Sequence, residues 1–188
     1  MRLFVGLNLP KKERERIYRS ARPLRETDYP VRWSDPEHYH ITLKFLGEVH
    51  PDRVDRIRRI VDRVAGGTPG FEVRMGGFGA FPTIRKPRVL WVGADPSPAL
   101  RCLKQDLEWA LAECGFEREM RAFHPHLSLG RSAEEGGGGV FRGLDELVAS
   151  LDYAGTFVVR SVDLMISQLG REGPRYSILS SSQLSATK

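Results

Sequence analysis

Two histidine motifs of one pattern, His40-Ile-Thr-Leu43 and His126-Leu-Ser-Leu129, stand 86 residues apart in this 188-residue chain. Each sets a hydroxyl two positions after an imidazole, with apolar residues between and beyond. Successive side chains of a β-strand point to opposite faces, so on a strand His40 and Thr42 share one face while Ile41 and Leu43 enter the core. His126 and Ser128 share a face in the same way. Cleavage of a phosphodiester by water needs one proton taken from the water and another delivered to the departing oxygen. Imidazole titrates near neutrality and can do either. The hydroxyls of Thr42 and Ser128 would donate to non-bridging phosphate oxygens, and the Arg131 guanidinium would offset charge building on the phosphorane. No metal is required by this scheme.

A single His-x-Thr is a weak signal, and two in register are a stronger one. Arg131 lies five residues after His126, so regular alternation would put it on the wrong face. A strand end, a bulge after Gly130 or the length of the side chain would bring it round. Phe45 has the same parity problem relative to His40 and reads as core rather than as a base-stacking platform, so it is left out of the candidate site. All five histidines lie near the motifs, and His38-x-His40 and His124-x-His126 also have metal-ligand spacing. A metal-dependent phosphohydrolase is therefore a rival reading. No carboxylate recurs beside the two pairs, and the hydroxyls would go unexplained by a metal. A third reading is a non-catalytic module gripping RNA ends through its basic surface and exposed Trp33 or Tyr39. Arg85, Lys86 and Arg88 read as a backbone-contacting stretch or equally as a solvated connector.

The elements that must hold these residues come in a repeating order. Leu3 to Asn8 reads as a buried strand, and Pro10 opens a helix from about Lys11 to Arg25. Tyr39 to Leu46 is a strand, Pro51 to about Ala65 a helix with Val54, Ile57, Val61 and Val64 at helical spacing, and Phe71 to Met75 a third strand. Then the order recurs: a strand at Leu90–Asp95, a helix from Pro98 to Cys114, the His126 strand, a helix near Phe141 to Ser150 and a strand from Phe157. Leu3-Phe-Val-Gly matches Leu90-Trp-Val-Gly, His40 matches His126, and Phe71-Glu-Val-Arg matches Phe157-Val-Val-Arg, at offsets of 87, 86 and 86 residues. These argue for a duplicated unit, roughly 1–86 and 87–188, folded as one bilobal domain with the two His strands facing across a central cleft. Apolar strands use few residue types, so alternation alone can also generate such matches. Gly76 to Gly79 reads as the connector between halves, Ala133 to Gly139 as a solvated surface loop, Arg171 to Arg175 as a hairpin turn, and Ser180 to Lys188 as a fraying tail.

With 40% hydrophobic residues, an ordinary soluble core is expected. The apolar opening is too short for a signal peptide core, and no run is long enough to span a bilayer, so a cytoplasmic protein is expected. Cys102 and Cys114 would be about 18 Å apart on one helix, beyond disulfide reach. The formal net charge of +5 is compatible with a polyanionic partner.

The sequence closely resembles the 2H phosphoesterase superfamily and, within it, the LigT-like RNA 2',3'-cyclic phosphodiesterases, also called 2'-5' RNA ligases. The resemblance spans nearly the whole chain and rests on Arg2-Leu-Phe-Val-Gly6, Val31-Arg-Trp33, His40-Ile-Thr-Leu-Lys-Phe-Leu-Gly47, Pro87-Arg-Val-Leu-Trp-Val-Gly93 and Phe123-His-Pro-His-Leu-Ser-Leu-Gly-Arg131. It implies an α+β fold of two pseudo-two-fold-related lobes of antiparallel sheet flanked by helices. It also implies that His40 gives a proton to the leaving 3' oxygen while His126 acts as base on water, leaving a 2'-phosphate end. Ser128 stands where threonine is common, and both are hydroxyl donors. The expectation is thus an enzyme without cofactor or metal, acting as a monomer on cyclic-phosphate RNA ends, tRNA fragments among them, with reversible ligation as a second direction.

Overall fold

A computed structural model of the chain describes residues 1–132, 139–170 and 173–186. Its strands are β1 (Arg2–Asn8), β2 (Val31–Trp33), β3 (His40–Glu48), β4 (Phe71–Thr83), β5 (Lys86–Ala94), β6 (His126–Ser132), β7 (Ala154–Val159), β8 (Ser161–Gly170) and β9 (Gly173–Gln183). The helices are α1 (Lys11–Ser20), α2 (Arg22–Arg25), α3 (Val54–Gly66), α4 (Pro98–Ala112) and α5 (Leu144–Ser150). The strands form one nine-stranded sheet in the order β7-β4-β5-β6-β3-β1-β8-β9, with β2 also on β6. All pairings between these strands are antiparallel. The fold is α+β, an antiparallel sheet flanked by helices, as expected.

One sheet face is apolar by alternation: Leu3, Val5, Leu7, Ile41, Leu43, Leu127 and Leu129 are all buried. Lys44 reaches α4 from β3, and α3 and α4 pack on each other. Ser97 caps α4 by accepting from the Leu100 N–H, and Pro98 occupies the first turn, where no N–H partner is needed. Among the described residues no helix is long and apolar enough to cross a membrane.

Several expectations need correction. The helix expected over Lys11–Arg25 breaks at Ala21 into α1 and α2, because Pro23 has no N–H to continue the ladder. Gly76 to Gly79 is not a connector but lies inside β4. Gly77, at φ +73°, supports a bulge there, and the strand passes from pairing with β7 to pairing with β5. Ser180 to Lys188 does not fray along its described length. β9 runs to Gln183, Ser182 is buried and donates to Asp62 at 2.5 Å, and the Leu184 N–H donates to the Arg160 carbonyl. Tyr39 is buried at 2% exposure, not presented to solvent. Residues 133–138, 171 and 172, in the expected loop and hairpin turn, lie outside the described residues.

The matched segments take unequal places. β1 borders β3 as β5 borders β6, so the first two landmarks occupy corresponding positions in the strand order. Phe71–Arg74 and Phe157–Arg160 instead lie side by side, with Val73 paired to Phe157. The ladder also sets a different register from the letters: Gly6 pairs with Thr42 and Trp91 with Ser128, an offset of 85 residues between Gly6 and Trp91.

Candidate active site

The centre of the sheet is a single antiparallel pair, Ile41 with Leu127, where β3 meets β6. An antiparallel pair has a local two-fold axis normal to the sheet, so extending the register by one residue sets His40 beside Ser128 and Thr42 beside His126. The four predicted residues thus form one compact patch on the face opposite the buried Ile41 and Leu127. Each strand supplies the hydroxyl next to the other strand's imidazole.

Bulges settle the parity of the two residues that follow. In β3, Thr42 pairs with Gly6 but Lys44 with Val5, so Leu43 is the extra residue. Phe45 then pairs with Phe4 and shares the face of His40 and Thr42. In β6, Ser128 pairs with Trp91 and Gly130 with Leu90, which makes Leu129 the extra residue and brings Arg131 to the face of His126. The assignment of Phe45 to the core is therefore wrong: it is 64% exposed, at the position corresponding to Arg131. The β3 bulge also turns Lys44 inward, where it is buried and hydrogen-bonded to Glu108 at 2.6 Å.

The imidazoles are held alike. His40 Nδ1 lies 2.7 Å from the His38 carbonyl, and His126 Nδ1 lies 2.7 Å from the His124 carbonyl. A carbonyl only accepts, so each Nδ1 must carry a proton and donate, which leaves both Nε2 atoms for chemistry. The role of His38 and His124 is thus in their backbone, which metal-ligand spacing could not reveal. Each ring also meets an aromatic edge. Tyr176 lies 4.9 Å from His40 at 72°, and Phe81 lies 4.9 Å from His126 at 78°. Phe4 and Trp91 complete the surrounds, at 4.8 Å and 6.4 Å.

Those contacts require a curved sheet. Tyr176 is on β9, three strands from β3, and flat strands would separate them by about 14 Å. A ring distance of 4.9 Å means that the histidine face is concave. Tyr176 and Phe81 were not singled out from the sequence, since nothing near them in the chain marks them. Only the fold brings them to the motifs.

Burial pushes His40 below the ordinary histidine value, opposed by its bond to the His38 carbonyl and reinforced by His38, His126 and Arg131. Burial lowers His126 likewise, opposed by its bond to the His124 carbonyl and reinforced by Arg131 and His124. Both rings thus sit within the field of Arg131. Such a site is electropositive, ready for an anion that would restore proton affinity to both rings.

Residues 7–91 match the family described as LigT like Phosphoesterase. An RNA 2',3'-cyclic phosphodiesterase of Methanothermobacter thermautotrophicus is 32% identical over 94% of this chain and 95% of its own length. The chain belongs to the LigT-like phosphoesterases. The crystal structure of TT0787 of Thermus thermophilus shares its fold, with a TM-score of 0.83, 24% identity and full coverage of both chains. E. coli LigT complexed with 3'-AMP superposes with a TM-score of 0.76 at 27% identity over 97% of each chain.

Other sequence candidates stand on neighbouring elements. His50 caps the turn before α3, where its Nδ1 accepts from the Asp52 N–H at 3.5 Å. Arg85 and Lys86 are at the tip of the β4–β5 hairpin, and Arg88 follows on β5. Among the described residues no three His, Cys, Asp or Glu side chains are grouped as metal ligands.

Proposed function

We propose that this LigT-like phosphoesterase hydrolyses RNA 2',3'-cyclic phosphate ends to 2'-phosphomonoesters, with His40 as general acid and His126 as general base. The observation that carries the reading is the matched pair of Nδ1–carbonyl bonds, which leave both Nε2 atoms without a partner among the described residues, on one concave, electropositive face. Water attacks phosphorus as His126 Nε2 takes its proton. The P–O3' bond breaks as His40 Nε2–H protonates O3', and the phosphate stays on O2'. Thr42 and Ser128 donate to the non-bridging oxygens, and Arg131 offsets the added charge of the phosphorane. Phe45, exposed on the same face, offers a platform on which the terminal base stacks.

The names of the relatives support the RNA end as substrate, and the complex of E. coli LigT with 3'-AMP supports a nucleotide as ligand. The reading extends to tRNA fragments as substrates and to one bilobal domain, built from repeats 1–86 and 87–188, that works as a monomer without metal. Replacing water by a 5'-hydroxyl gives ligation through the same two proton transfers.

The test is an RNA oligonucleotide ending in a 2',3'-cyclic phosphate, incubated with the protein and excess EDTA, with 2'- and 3'-phosphate products resolved. A 2'-phosphate product that vanishes in both His40→Ala and His126→Ala is expected. Activity lost to EDTA would favour the metal-dependent reading, and RNA binding without turnover the binding module.

A further inference from the structure

The face that carries His40 continues into a cavity of about 250 Å³, lined among others by Asn8, Arg14, Glu37, Met165, Tyr176 and Ile178. Tyr176 is the wall it shares with the proposed catalytic site, with its ring 4.9 Å from that of His40 and 5.7 Å from that of His38. Phe45 lies at the other end of the same face. The register sets Asn8 beside His40 and Phe4 beside Phe45, so the cavity and the Phe45 platform flank His40 from opposite sides.

The volume is below the roughly 300–1,000 Å³ of pockets for larger ligands and suits a single base. Its chemistry is mixed rather than cationic. Asn8 Nδ2 donates to Asp163 Oδ2 at 2.7 Å, which fixes the amide and leaves Oδ1 as an acceptor. Arg14 spends one guanidinium N–H on the Glu37 carbonyl at 2.9 Å, while its buried Nε has no partner among the described residues. Arg14 lines the cavity, so its other guanidinium N–H groups can donate to a ligand acceptor. Met165 and the half-exposed Ile178 supply apolar surface for a flat ring, beside the edge of Tyr176. The carboxylates of Glu37 and Asp163 would repel an isolated phosphate. Donors and acceptors together suit the edge of a base.

We infer that this cavity holds the nucleoside immediately 5' of the one bearing the cyclic phosphate, so that the shortest well-bound substrate is a dinucleotide. The inference rests on the proposed cyclic phosphodiesterase function. With the terminal base on Phe45 and its phosphate between His40 and His126, the chain leaves through O5', and Tyr176 separates the two nucleosides by the width of one ring.

The experiment compares kcat/KM for adenosine 2',3'-cyclic phosphate with that for ApA ending in the same cyclic phosphate, in the wild type, Arg14→Gln and Ile178→Asp. The wild type is expected to prefer the dinucleotide roughly tenfold, carried in KM, as the stacking and pairing of one base allow. In both variants the ratio falls towards one, and because a ratio is read, a uniform loss of active protein cancels. Parity in the wild type, with 2'-phosphate still formed, would overturn the cavity assignment alone. A preference that survives both variants would overturn it too. If the wild type turns over neither substrate, the proposed function falls and the subsite with it.

Discussion

With Nδ1 of both rings committed to backbone carbonyls, His40 and His126 can each exchange only the Nε2 proton, and neither can change tautomer without losing its anchor. Chemistry at this scale therefore depends on single atoms, and substitutions should separate by what they remove. Arg131→Ala should lower kcat about 10²- to 10³-fold, and Arg131→Lys should restore little of it, because a point charge does not reproduce a planar fork on phosphate oxygens. Steady-state kinetics on a cyclic-phosphate RNA would show this as a loss in kcat. Phe45→Leu should instead raise KM about tenfold while leaving the melting temperature unchanged, since the ring is 64% exposed and contributes little to the core. Both imidazoles and both hydroxyls were legible in the sequence, because strand alternation fixes their face over three residues. Phe45 was not. Its side depends on the extra residue at Leu43, and an apolar letter five positions after a core-facing pattern gives no sign of a bulge.

Strand register and close approach control the next scale. Gly130 follows the β6 bulge where β2 crosses onto β6. A Cβ built there would lie 2.7 Å from Val31 Cγ1 and 2.9 Å from the Arg32 carbonyl, so the two strands can approach only over glycine. Gly130→Ala should cost about 1–3 kcal/mol of stability by displacing β2, and should lower kcat because Arg131 is the next residue. Thermal melts and kinetics on the same preparation check both parts. If stability falls and kcat holds, Arg131 is not placed by this crossing. Helices and strands with strong periodicity were read correctly in kind, while β4 was cut short because its glycines look like a linker. Ser180–Gln183 was read as a tail because serines lack an apolar signal, although Ser182 is tied to Asp62 of α3. In both places local composition misleads because pairing with distant strands decides the conformation.

At the scale of the whole molecule, the site exists only where β3 and β6 meet, and the aromatic edges at each histidine come from strands two and three places away. The order of elements and the repeated His motif made the meeting of the two motifs readable, while the α+β class followed from the family resemblance carried by the motifs. The curvature that closes Tyr176 and Phe81 over them was not, because it arises from twist and bulges summed over many strands. Burial also couples the site to stability. His40 and His126 are depressed in the folded state, so their contribution is full above the ordinary histidine value, about pH 6.5, and falls as pH drops below it. For Glu108, burial acts to raise its pKa, but hydrogen bonds from Lys104 and Lys44 hold it below the glutamate range. Its contribution is lost only at still lower pH. Melting temperature followed against pH should therefore begin to fall below about pH 6.5 and fall again below about pH 4.3. A curve flat down to pH 5 would show that the half-buried rings do not lose proton affinity on folding.

The most direct test of the two-histidine account is the pH dependence of kcat/KM on a cyclic-phosphate RNA, for the wild type and for His40→Ala and His126→Ala measured at their residual rates. The account predicts a bell for the wild type, centred below the ordinary histidine value, with the acid limb absent from His126→Ala and the alkaline limb absent from His40→Ala. The opposite limbs vanishing would reverse the roles. A wild-type profile with one ionisation would contradict the mechanism.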